Sequence, residues 1–173
     1  MSSEFLSAAT RLCAACGLCC NGVMFHSVEL QSLDRAKELL SLGMKLKKKR
    51  KQVFILQPCP AHKDSCCAIY DQRPQRCRIF ECRQIQLVRS GGKTEQSALE
   101  KILDVKARIA GLEDLLDLAG APNRRRSLNR RYQKVLDDVP DELVGHDVLG
   151  LRVRLAASMQ QLEEVLENDF RVK

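Results

Sequence analysis

Nine cysteines fall within residues 13–82, and none follows in the rest of the 173-residue chain. Four of them, Cys13, Cys16, Cys19 and Cys20, lie in the run CAACGLCC; Cys59, Cys66, Cys67, Cys77 and Cys82 come later. Two-residue spacings turn consecutive sulfurs toward one ion, so thiols paired this way in a reduced protein read as metal ligands. Gly17, directly after the second cysteine, suits a knuckle or rubredoxin-type turn whose amides point at sulfur. The same run offers three corners of an iron–sulfur cubane, with Cys59, followed by Pro60, as a fourth. Zinc and iron–sulfur both stay open on these residues. Adjacent Cys19 and Cys20 point to opposite faces of an extended backbone, which implies two neighbouring sites, or one site and a structural thiol.

Other residue types carry less chemistry. His62 stands three positions after Cys59, a workable spacing for a Cys/His site, but the cysteines already supply enough ligands. His26 and His146 belong to no ligand pattern. Arg73, Arg76, Arg78 and Arg83 surround the last cysteines; they read as donors that stabilise thiolate charge mixed with solvated helix surface, and Arg73, in an Arg-Pro turn, as structural. The run KLKKKRK (45–51) could meet phosphates, but no Trp and only two Tyr and five Phe leave little for bases to stack on. The second basic group, NRRRSLNRR, with Arg124, Leu128 and Arg131, reads as a solvated helix face. No Ser/His/acid set, H-E-x-x-H motif or phosphate loop is present, and ligation suppresses thiol nucleophilicity, so no residue is singled out as catalytic.

These residues need elements to position them. After the cysteine knuckle, Val23–Met24–Phe25 reads as a short extended segment. Ser27 reads as the cap of a helix through VELQSLDRAKELLSLG, stopped at Gly43. VFILQ is β-prone and ends at Pro58–Cys59–Pro60; CCAIY (66–70) reads as a second short strand. Asp71–Pro74 turns into a helical piece, QRCRIFEC. Beyond Ser90–Gly91–Gly92 the pattern is helical. Thr94 caps a helix to about Ala119 with Leu99, Ile102, Ile109, Leu112 and Leu116 on one stripe, broken by Gly120 and Pro122. A second helix covers 124–138 and stops at Val139–Pro140. A third covers 147–169 with Val148, Leu151, Leu155, Met159, Leu162 and Leu166 at three- and four-residue steps. Such stripes predict core packing before self-association.

Hydrophobic residues make up 45% of the chain, enough for a core. The opening residues lack a basic stretch leading into an apolar run, and no segment has the length and apolarity of a membrane span. The expectation is a cytoplasmic protein with reduced thiols. Residues 1–93 carry 16 Lys+Arg against 7 Asp+Glu, and residues 94–173 carry 13 against 15. Eight thiolates around two Zn²⁺ ions would cancel about four of the nine excess positive charges in the first part, so much of the basic excess reads as local compensation.

CAACGLCC, the Cys59 segment and CAIYDQRPQRCRIFEC together resemble the YkgJ-type CxxCxxCC cysteine-cluster family, a zinc- or iron-chelating domain. The resemblance covers residues 11–84. It implies that the eight family cysteines are Cys13, Cys16, Cys19, Cys20, Cys59, Cys67, Cys77 and Cys82, with Cys66 outside the pattern. A related group, the flagellin lysine methylases, pairs an iron–sulfur cluster with S-adenosylmethionine; this chain has no Gly-rich nucleotide loop to match. The expected fold is α+β: a metal-nucleated cysteine module (1–90) followed by a helical hairpin or three-helix unit (91–173). The expected function is a non-enzymatic metal-binding protein or adaptor, with zinc preferred to [4Fe–4S] and protein partners meeting the C-terminal helices. An iron–sulfur redox or methyl-transfer enzyme is the alternative, and a nucleic-acid-binding zinc protein the third reading.

Overall fold

A computed structural model describes residues 7–63, 66–138 and 146–172. The Val139–Pro140 stop and the side chains of Cys66, His146 and Val148 lie outside the described residues. Helix and sheet are mixed, as expected, and the sheet is confined to the cysteine-bearing half.

That half runs α1 (Ala8–Cys16), β1 (Ser27–Glu29), α2 (Ala36–Ser41), β2 (Leu46–Lys49), β3 (Gln52–Leu56), β4 (His62–Lys63) and β5 (Cys66–Cys67). A single 3₁₀ turn at Tyr70–Gln72 leads to α3 (Gln75–Ile79) and α4 (Arg83–Arg89). Three strands pair antiparallel in the order β1-β3-β2, with both Val28 and Leu46 opposite Ile55. β4 and β5 form a separate ladder.

Several sequence expectations change here. Val23–Phe25 is not a strand, and the strand begins at Ser27, where a helix cap was expected. Pairing with β3 satisfies the Ser27–Glu29 backbone, and Asp34 accepts the Gln31 amide, closing a turn that postpones the helix to Ala36. Leu33, from the expected apolar stripe, is 80% exposed. The basic run forms β2, a charged edge strand, and turns at Arg50 with φ 54°. The piece QRCRIFEC is helical only through Ile79, and α4 is an additional helix that the sequence reading lacks.

The helical half matches the reading more closely. α5 (Glu95–Leu118) starts at Thr94, whose hydroxyl accepts the Ser97 amide, and stops before Gly120 at φ 77°. α6 (Leu128–Asp137) begins later than expected because Arg124–Arg126 form a bend ahead of Ser127. α7 (His146–Asp169) packs along α5. Ile102, Ile109, Leu112 and Leu116 bury against Leu155, Met159, Leu162 and Leu166, so these stripes are core.

Arg131 corrects the reading of the second basic group as a solvated face. It is 2% exposed, donates to Asp117 Oδ1 and to the Ala121 carbonyl at 2.7 Å each, and lies 3.5 Å from Glu113. Arg124 shares both carboxylates. Together they tie α6 to the end of α5.

The two halves share packing. Leu12, Leu18, Val23 and Met24 belong to the same apolar cluster as the α5 and α7 stripes. A smaller cluster, Leu39, Met44, Ile55 and Ala61, sits under the sheet. Gly22 fits where the halves meet: an added Cβ would stand 3.1 Å from Ser127 Cβ and 3.3 Å from Gln57 Cβ.

Candidate metal centre

Six segments present the eight thiols. Cys13 and Cys16 lie on the last turn of α1, three residues apart and therefore on one face. They stand on a helix and not on an irregular knuckle. Gly17 ends it at φ 69°, its amide bonded to the Cys13 carbonyl at 3.2 Å, and a reverse turn brings the Cys20 amide to the Gly17 carbonyl at 2.9 Å. The glycine is required twice over, by the left-handed backbone and by His62, whose Nε2 would be 2.6 Å from any Cβ at 17. Cys59 follows β3 and donates its amide to the Cys20 carbonyl at 2.7 Å. Cys67 on β5 pairs with His62; Cys77 lies within α3, and Cys82 caps α4.

Backbone amides act on two of the thiols: that of Leu18 lowers Cys16, and those of Ala61 and His62 lower Cys59. Such amides stabilise a thiolate.

Burial and mutual repulsion act the other way. Desolvation, then the neighbouring thiols, push Cys16 and Cys20 up to about 12 and Cys77 to about 11; the same causes hold Cys19 well above its ordinary value. Burial also raises Cys13 and Cys59. The neighbours fall into two groups. Cys13, Cys16 and Cys19 all feel Cys82. Cys20 feels Cys59, Cys67 and Cys77, and Cys77 feels Cys59 and Cys67. Two influences cross between the groups: Cys20 on its chain neighbour Cys19, and Cys13, more weakly than the other three, on Cys20. Cys59, the expected fourth corner of a cubane with Cys13, Cys16 and Cys19, is tied by its amide to the Cys20 carbonyl.

All eight thiols are free. Among the described residues, no three His, Cys, Asp or Glu side chains already stand close enough to hold a metal ion. The donor set itself suits a soft cation: Cys13 is exposed, the other seven thiols are half-buried with few other partners, and their anions need a countercharge. His62 Nε2 is buried without a hydrogen-bond partner among the described residues. Its ring packs on the Gly17 turn, not into a closed ligand set.

The arginines differ in their duties. Arg78 is taken up by the Arg73 and Asp71 carbonyls, and Arg76 pairs with Glu29 on β1 at 3.0 Å. The Arg83 amide donates to the Phe170 carbonyl. Arg73 stacks 3.6 Å over the Tyr70 ring, donates to the Tyr70 carbonyl, and lowers both Cys13 and Cys77, one from each group. The residue that sequence reading missed is Lys106 on α5. Its ammonium donates to the Ala15 carbonyl at 3.0 Å and lowers Cys16. Nothing in the sequence separates Lys106 from any other helix-surface lysine.

A model of the CxxCxxCC family, described as a "putative zinc- or iron-chelating domain", matches residues 12–101. The chain belongs to this family. The match spans every cysteine and reaches the first turns of α5, beyond the segment whose residues carry the resemblance, and it supports metal binding here. α6 and α7 lie outside it. No curated protein and no solved structure matches the chain. No helix among the described residues is long and apolar enough to cross a membrane.

Proposed function

We propose that this is a non-enzymatic metal-binding protein in which Cys13, Cys16, Cys19, Cys20, Cys59, Cys67, Cys77 and Cys82 hold zinc, and the loaded cysteine module serves as a structural or adaptor unit. The observation that carries the reading is the match of a chelating-domain family over residues 12–101, a span that includes all eight unpaired thiols. An all-thiolate set closed to solvent ligands is the donor chemistry of structural Zn²⁺. Bound zinc would supply cross-links and countercharge. The thiols would release their protons on loading, and Lys106 and Arg73 would soften the remaining negative charge. Metal would also nucleate this part of the fold, since the four-residue cluster beneath the sheet is small. Leu103 and Leu118 on α5 are more than half exposed, leaving apolar surface on the helical half for a protein partner.

Anaerobic purification followed by elemental analysis tests the choice of metal. Zinc without iron or sulfide is expected. A brown protein containing iron and acid-labile sulfide would replace zinc by an iron–sulfur centre and revive the redox or methyl-transfer reading.

A further inference from the structure

We propose that the eight thiols form two separate four-sulfur sites, Cys13/Cys16/Cys19/Cys82 and Cys20/Cys59/Cys67/Cys77, each for one soft divalent cation, with the Cys19–Cys20 peptide as the divide between them. This rests on the metal-binding reading above.

Packing supports the division. Cys16, Cys19 and Cys82 lie against the large apolar cluster that includes α5 and α7, whereas Cys59 and Cys67 lie against the small cluster of Leu39, Met44, Ile55 and Ala61. Backbone contacts assign the remaining thiols. Cys13 shares the α1 face of Cys16. The Cys20 carbonyl accepts the Cys59 amide. The helix bearing Cys77 is fixed to the sheet side by Arg76–Glu29 and by the Gln75 amide on Asp34.

Cd²⁺ titration into the full chain, read by bound-metal stoichiometry and ¹¹³Cd NMR, tests this. Two ions and two resonances are expected. Cys67→Ser and Cys77→Ser should each remove one ion and one resonance while leaving the other resonance in place, and the double variant should lose no more. Cys16→Ser should remove the other resonance, and Cys16→Ser/Cys77→Ser should bind none. If the Cys16 variant fails to fold, the Cys67 and Cys77 variants decide alone. Loss of both ions from either of those folded variants, or unequal resonances for the two, would overturn the partition in favour of one shared cluster. A wild-type chain that binds no Cd²⁺ would instead overturn the metal-binding reading itself.

Discussion

Among the described residues, nineteen buried apolar side chains make up the cluster that joins α1 to α5, α6 and α7, whereas four make up the cluster beneath the three-stranded sheet. The larger region also has long helices with caps and a buried arginine paired to two carboxylates. The smaller has strands of two to five residues, an edge of lysines, and thiols. Burial of apolar surface scales with the size of the unit, so the first region can hold its shape by packing while the second cannot. The difference teaches where the proposed metal would matter most to structure: under the sheet, more than throughout the cysteine-bearing half.

The largest expected effect follows from removing metal. Stripping the loaded protein with a chelator should abolish hydrogen-exchange protection in β1–β5 and α3 while α5 and α7 stay protected. Uniform loss of protection would break the comparison, because it would make the helical core equally metal-dependent. Next come core truncations. Leu162→Ala should lower global stability by about 2–5 kcal/mol, because Leu162 is fully buried. Ile55→Ala should leave the helical unfolding midpoint nearly in place and instead speed exchange along β3. Parallel denaturation curves followed by helical signal would measure both, and equal losses would erase the distinction. The smallest effect concerns Arg11 and Glu95, which join α1 to α5 through two contacts at 2.6 and 2.7 Å on exposed surface. Arg11 holds the Glu95 carboxyl below its ordinary 4.5, so this stability is present above that pH and is lost as pH falls through the lowered value. Glu95→Gln should therefore weaken the acid dependence of stability slightly, as seen by comparing thermal midpoints of the two proteins from pH 6 down to pH 3. An unchanged pH profile would remove this pair from the account.

How legible each region was follows the same contrast. Thr94, the stripe from Ile102 to Leu116, and the stripe from Leu155 to Leu166 could be read because local capping and helical period agree with what is buried. The sheet was legible only in part: VFILQ and CCAIY fall on β3 and β5, whereas β1, β2 and β4 were missed. Leu30, Leu33, Ala36 and Leu40 mimic a helical period, but the Ser27–Glu29 backbone is claimed by β3 from more than twenty residues away. The eight thiols were read as a set from spacing and family resemblance. Their neighbours Lys106 and Arg73 acquire meaning only from the fold. Arg131 was misread for a similar reason: its carboxylate partners lie on α5, fourteen and eighteen residues earlier, where no local pattern announces them.

One contact bears on how such a protein is made. The amide after Cys82 is held by the Phe170 carbonyl, and the next side chain, Gln84, donates to the Asp169 carbonyl at 2.6 Å. A nascent chain exposed only through residue 101 has every cysteine outside the ribosome but not the clasp that seats Cys82. On the proposed partition, the sulfurs around Cys20 could meet their ion during synthesis, whereas the segment after Cys82 gains its C-terminal tether only once translation passes residue 170. Loading would then be vectorial, with Cys82 among the last thiols to be secured.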